Sequence, residues 1–212
     1  GPFWLKCMSL ANKTHWVLET GGIGAGKTAV SDRFKKRKVP VIDTDVLSRQ
    51  LTSKNGKALA AIEKAFGPKA IDSENGLNRL WMRHQAFFDS KIRLQLEAIL
   101  HPMIFQEVKN LQYEVCAPYG LVVVPVFSRE SPYWQIIDRV LVVDVDEETQ
   151  IHRVETLRHL PHSVVKNIMA TQLSRQERLL LADDVIVNSG SLSELDDKVE
   201  FFHRFYTKLF TV

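Results

Sequence analysis

The apolar residues of this chain fall into short, nearly unbroken β-branched runs separated by stretches with helical spacing. Five runs predict strands: residues 15–20 around Trp16, Val17 and Leu18; 39–42, ending at Asp43; 121–124, ending at Pro125; 140–143, ending at Asp144; and 185–187, ending at Asn188. A half-exposed strand alternates apolar and polar residues. Runs that stay apolar throughout are the pattern of a parallel sheet covered on both faces by helices. The chain therefore reads as an α/β fold with a five-stranded parallel sheet and a ligand site at the C-terminal ends of the strands. Residues 28–38 predict a helix with Val30 and Phe34 on one face. Between the second and third strands, Ile92, Leu96, Ile99 and Leu100 form an apolar stripe that Val108, Leu111 and Val115 continue. A parallel crossover needs only one helix, so this longer segment reads as a helical subdomain. His101-Pro102 predicts a boundary or kink in it, because proline lacks the N–H that a helix interior uses. A second excursion, from 147 to 182, is rich in Arg and His.

Composition narrows the class without naming it. The 212 residues suffice for one sizeable domain, and 45% hydrophobic with 25% charged residues is ordinary for a soluble globular chain. No apolar run approaches the roughly 20 residues of a membrane span, so no membrane partner and a cytoplasmic location are expected. A net charge of +3 is too small to point to nucleic acid. Cys7 and Cys116 form no Cys-x-x-Cys pair and have no zinc spacing, so no disulfide framework is expected, as suits a reducing compartment. Residues 1–14 read as an N-terminal extension, with Gly1-Pro2 a cleavage scar left by a tag and Met8 the natural start.

The segment from Gly21 to Thr28, Gly-Gly-Ile-Gly-Ala-Gly-Lys-Thr, changes the picture. It fits the phosphate-binding loop of nucleoside triphosphate enzymes, and it lies between a predicted strand and a predicted helix, as that loop requires. Glycines let several backbone N–H groups turn toward one anion. Lys27 supplies a cation for the outer phosphates and the Thr28 hydroxyl can ligate Mg²⁺. The helix N-terminus adds its positive end. Glu19, a charge on the strand entering the loop, predicts either a solvent-facing sheet mouth or an altered site.

Other residue clusters suggest the second half of a reaction. Asp43-Thr44-Asp45 follows the second strand, and carboxylates there can orient Mg²⁺ or accept a proton from an attacking hydroxyl; Asp43 suits helix capping equally well. Arg49 lies one helical turn after Asp45 and can hold a phosphate or pair with that aspartate. His101 can face a substrate or end a helix. Arg175 and Arg178, three residues apart on a predicted helix, can offset charge on a transferring phosphoryl group or simply be solvated. His152, His159 and His162 have no metal spacing and read as surface.

The order TGGIGAGKT, VPVIDTDVLSRQ, AILHPMI, VVVP, RVLVVDVDEETQIHRV, ATQLSRQERL, ADDVIVNSG resembles the bacterial dephospho-CoA kinase family over residues 15–210. The resemblance implies a nucleotide-kinase-like P-loop fold, ATP and Mg²⁺ as cofactors, and phosphorylation of the ribose 3′-hydroxyl of dephospho-CoA as the final step of coenzyme A synthesis. It implies a core of residues 15–52, 118–150 and 183–212, a CoA-binding helical subdomain at 53–117 and a lid at 151–182. The nucleotide loop falls on Gly22, Ile23, Gly24, Ala25, Gly26, Lys27, Thr28 and Ala29, with Thr28 on the metal. Lys27, Asp45 and Arg175 fall on catalytic positions, Arg175 also on an ATP contact, and Asp45, Arg49 and His101 on the substrate side. A monomer or weak homo-oligomer is expected. The chain departs from the family pattern at Glu19, at Thr28-Ala29 where Ser-Thr is usual, at Arg129 in place of an acid, and at Leu157 in place of a lid arginine. A kinase of the same architecture with another acceptor, such as a nucleoside or nucleotide, and an ATP-binding homologue without transfer remain as alternatives.

Overall fold

The computed structural model describes residues 14–211. The expected N-terminal extension, and with it Cys7, lies outside them. The elements in chain order are β1 (His15–Gly21), α1 (Lys27–Lys36), β2 (Val41–Asp43), α2 (Thr44–Thr52), α3 (Leu59–Phe66), β3 (Ile71–Asp72), β4 (Gly76–Leu77), α4 (Arg79–Phe88) and α5 (Lys91–Glu114). They continue with β5 (Tyr119–Val123), β6 (Arg139–Asp144), α6 (Glu147–Arg158), α7 (His162–Ala170), α8 (Arg175–Leu180), β7 (Asp184–Val187) and α9 (Leu192–Phe210). The chain forms two compact units, Asp43–Leu111 and the remainder.

In the larger unit the strand order is β2-β5-β1-β6-β7, with β1 central. β1 runs parallel to β5 and β6, and β6 to β7, so all five predicted strands are present in one sheet. The register Val17↔Leu121 and Val17↔Arg139 brings Gly21, Val143 and then Asp144 and Val187 to one carboxyl edge. One face packs Val17, Leu121, Val123, Leu141 and Val143 against Val30 and Phe34 of α1 and Leu195, Val199 and Tyr206 of α9. Val30 and Phe34 are fully buried, and each such side chain contributes about 1.5–3 kcal/mol by leaving water. Arg37, at the C-cap of α1, forks onto Asp196 and also reaches Glu200, at 2.7–3.1 Å, and so ties α1 to α9.

Two expectations need amendment, and one small element was not foreseen. Glu19 has no solvent exposure; it lies on β1 opposite Val123 and Leu141, so the sheet mouth is not where it sits. Pro102 does not break its helix: α5 runs through it from Lys91 to Glu114. The missing N–H there falls on an exposed position, where water can serve the freed carbonyl. The short hairpin β3–β4 was not legible, since two residues per strand carry no period.

In the unit Asp43–Leu111, α2 starts on Asp43, whose side chain accepts from the Asp45 N–H at 2.9 Å. That satisfies one of the free donors of the first turn and gives Asp43 its capping role. Ala58, Ile62, Ala70, Leu77 and Met82 are its buried apolar residues around the hairpin, and Leu100, Ile104 and Val108 form the buried stripe of α5.

Candidate nucleotide and phosphoryl-transfer site

The loop between β1 and α1 takes its shape from two left-handed glycines, Gly24 at φ 75° and Gly26 at φ 91°. A side chain at Gly26 would stand 2.2 Å from the Asn188 amide, so the residue is fixed by space as well as by backbone angle. The carbonyls from Gly21 to Ala25 are each held by a side-chain donor. Lys27 Nζ donates to the Gly21 and Gly22 carbonyls at 2.9 and 3.3 Å. Gln150 Nε2 donates to Ile23 O at 3.0 Å, Arg153 Nη1 reaches Gly24 O and Ala25 O at 3.3 and 3.4 Å, and Asn188 Nδ2 donates to Ala25 O at 2.9 Å. Arg153 in turn donates to Asn188 O at 2.6 Å. Among the loop N–H groups, that of Ile23 donates to Gln172 and that of Ala25 to the Gly22 carbonyl. Those of Gly24, Gly26 and Thr28 donate to no acceptor among the described residues. N–H groups left without an acceptor at the start of a ten-residue helix suit an anion nest.

The loop is also tied to the excursion after β6. Ile23 is buried with Val154 and Val165 in a small apolar cluster of its own, flanked by Ile151, Leu160, Ile168 and Met169. Its amide donates to Gln172 Oε1 at 3.2 Å. The Ser174–Glu177 capping box sets the start of α8. From there Arg175 forks onto Asp144 at the end of β6, with Nε and Nη2 at 2.9–3.3 Å from the carboxylate. Asp144 is 5% exposed, and such bidentate charge-assisted pairs are the strong kind. The pairing pushes the Arg175 guanidinium further above its already high pKa. Arg178, one turn on, is buried, and burial pushes its pKa down while the charge of Asp144 pulls it back up. A cavity of about 420 Å³ lies between α6, α7 and α8, bounded by Gln150, Lys166, Gln172, Arg175 and Arg178 among others.

The sequence-expected residues thus divide between the two units. Gly22, Ile23, Gly24, Ala25, Gly26, Lys27, Thr28, Ala29 and Arg175 belong to the larger one, in and beside the nest. In the smaller unit, Asp45 stands exposed in the first turn of α2, Arg49 is exposed one turn later, and His101 is exposed in mid-helix on α5 rather than at a helix end. His152, His159 and His162 are exposed, as expected of surface residues, and no group of three or more potential metal-ligating side chains occurs among the described residues. Arg129 is exposed, while its neighbour Phe127 is buried against Trp134, 4.7 Å between ring centres. Gln150, Arg153 and Asn188 were not singled out from sequence. Their only sequence signals were a position one turn into a helix and a polar stop after a strand.

A parallel sheet with a glycine nest and lysine at the carboxyl edge of its central strand defines a P-loop nucleotide-binding protein. The fold matches that of a Thermus thermophilus protein, TT1252, with a TM-score of 0.75, 23% identity, and 91% and 98% of the two chains covered. It also matches dephospho-CoA kinase from Campylobacter jejuni, with a TM-score of 0.66, 20% identity, and 91% and 97% covered. At the sequence level the dephospho-CoA kinase family profile matches residues 15–194. The dephospho-CoA kinase of Thiobacillus denitrificans is 44% identical over 190 residues, 90% of this chain and 94% of that one. That of Chromobacterium violaceum is 46% identical over 188 residues, 88% and 92%. The chain belongs to the dephospho-CoA kinase family.

Proposed function

We propose that this protein transfers the γ-phosphoryl group of ATP to the ribose 3′-hydroxyl of dephospho-CoA, giving coenzyme A and ADP, as a soluble cytoplasmic enzyme. The observation that carries the transfer half is the nest itself: five loop carbonyls held by side-chain donors and three N–H groups left for an anion, with Lys27 beside Gly21 and Gly22. The acceptor half is supported by the relatives' names and their coverage of nearly the whole chain.

Mg²⁺ fits this donor set. It commonly keeps waters and phosphate oxygens and asks for few protein ligands, and Thr28 offers one exposed hydroxyl at the start of α1. When bound it neutralises charge on the β- and γ-phosphates. The chain's own residues do the rest. The amides of Gly24, Gly26 and Thr28 bind the inner phosphates. Lys27 leaves the Gly21 and Gly22 carbonyls, 2.9–3.3 Å away, for the outer ones. Asp45 accepts the 3′-hydroxyl proton, and Arg49 and His101 hold the acceptor. Arg175 keeps Nη1 for the nucleotide, since Nε and Nη2 are engaged by Asp144. In this reading the helical segment 53–117 takes the CoA moiety and residues 151–182 act as the lid that excludes water from transfer.

An acceptor panel tests the reading. Purified protein with ATP should release ADP on adding dephospho-CoA and not on adding nucleosides, nucleoside monophosphates or shikimate. Turnover of one of those with dephospho-CoA inert would replace the acceptor. ATP binding without any turnover would leave a non-catalytic homologue.

A further inference from the structure

We propose that the outer face of α9 is a docking surface for a second copy of this chain, the two helices lying antiparallel across a twofold axis at Phe201. This surface is independent of both halves of the reaction above. α9 turns Leu195, Val199, Phe202 and Tyr206 to the sheet. One flank of the helix is taken up within the chain: Arg37 of α1 binds Asp196 and Glu200, and Tyr119 of β5 meets His203. On the other flank Lys198 donates to the Val187 carbonyl at 2.6 Å, and the Arg139 guanidinium lies over the Phe205 ring, 5.2 Å from its centre. Between the flanks Glu194, Asp197, Phe201, Arg204 and Lys208 are all exposed. They recur at alternating steps of three and four residues, the spacing of a helix face that a second helix covers. Phe201, at the middle, is 63% exposed, and the partly exposed Phe205 and Leu209 extend its apolar surface one and two turns on.

Charge selects the occupant. Along the chain the stripe reads acid, acid, phenylalanine, base, base, so it complements itself only when reversed. With Phe201 on the axis, Glu194 meets Lys208 of the second copy and Asp197 meets Arg204 of the second copy, and symmetry makes each pair twice. A parallel alignment sets like charges against each other. Within one chain the stripe is locally unfavourable, because Glu194 and Asp197 at i,i+3 and Arg204 and Lys208 at i,i+4 are like-charged neighbours. Among the described residues neither Asp197 nor Lys208 has an ion pair, and Arg204 engages Glu200 through Nε alone, at 3.0 Å. The helix dipole accounts for Glu194 in the first turn and Lys208 in the last. It fades beyond those turns and leaves Asp197, Phe201 and Arg204 without a role. The 19 residues of α9 make a helix about 28 Å long, and one face of it falls short of the roughly 800 Å² that each partner gives to a standard interface. The pairing is therefore weak, with a dissociation constant of about 1–100 μM.

The test is sedimentation velocity on the full chain, from about 1 to 200 μM and at low and physiological salt. Wild type should pass from monomer to dimer across that range and shift back toward monomer as salt rises. D197R and R204E each set like charges face to face twice, and each should weaken association at least about tenfold. An equimolar mixture of the two variants should recover dimers to within about threefold of wild type, because in the mixed pair every introduced charge meets its opposite. Neither a general loss of solubility nor a local change in the helix gives that recovery. Should either variant fail to fold, F201E, which places two carboxylates on the axis, takes its place and should leave only monomer. A wild type that stays monomeric at the highest concentration overturns the proposal. So do dimers that survive D197R, R204E or F201E unchanged, and a mixture no more associated than its two components.

Discussion

At the scale of single residues, the proposed roles divide into those fixed by backbone angle and those fixed by chemistry. Gly26 belongs to the first. Gly26→Ala forces an alanine to φ 91° and drives a methyl into the Asn188 amide. Left-handed strain of about 1–2 kcal/mol and overpacking of about 1–3 kcal/mol should lower Tm by several degrees and abolish the stabilisation that ATP confers, read by thermal denaturation with and without nucleotide. Asp45 belongs to the second. Asp45→Asn should cut kcat by about 10²–10⁴ with ATP affinity nearly unchanged; an unchanged kcat would remove it from the mechanism. The strand, glycine loop and helix around Lys27 were legible from sequence because that signal is local, a few residues on either side of the loop. Gln150 and Asn188 were not, because they meet the loop across 127 and 163 residues. A helix or a strand end does not say in its own sequence which distant carbonyl it will face.

At the scale of elements, the loop works because other segments hold its carbonyls. Asn188→Ala leaves Ala25 O without its closest side-chain donor. The expected cost is about 1–3 kcal/mol of stability, accompanied by weaker ATP binding, measured by denaturation and calorimetry on the same sample; equal Tm and affinity would show that Arg153 alone suffices. The five strands were legible because apolar runs covered on both faces differ sharply from their surroundings. Helix continuity through Pro102 was not, because an exposed position lets water serve the carbonyl that proline leaves free. Nor was the burial of Glu19, where the pattern of its strand neighbours outweighed its charge.

At the scale of the whole molecule, α9 closes the sheet and makes stability depend on pH. Burial depresses the pKa of His203, whose Nδ1 lies 2.6 Å from the Tyr119 hydroxyl; Glu200 opposes the shift and Arg37 adds to it. The unfolded chain protonates this histidine below about pH 6.5, while the native state still holds it neutral. Its contribution is therefore present above that value and is lost as pH falls toward the depressed native one. Asp196 and Glu200, held below the usual carboxylate range chiefly by hydrogen bonds from Arg37, add a second loss at lower pH with the same sign. Tm should fall from pH 7 to 5 and further below, and His203→Gln should flatten the first limb only. A Tm that rises on acidification would contradict this assignment.

The larger question is whether nest, lysine and aspartate form one phosphoryl-transfer enzyme. The most direct measurement is ADP formation from ATP on addition of dephospho-CoA, with coenzyme A identified by mass, for wild type and Lys27→Ala. The expected result is acceptor-dependent ADP release with stoichiometric coenzyme A, reduced by at least about 10²-fold in Lys27→Ala, as befits loss of a cation on the transferring group. Folded wild-type protein that binds ATP and forms no coenzyme A, or a Lys27→Ala variant as active as wild type, would contradict it.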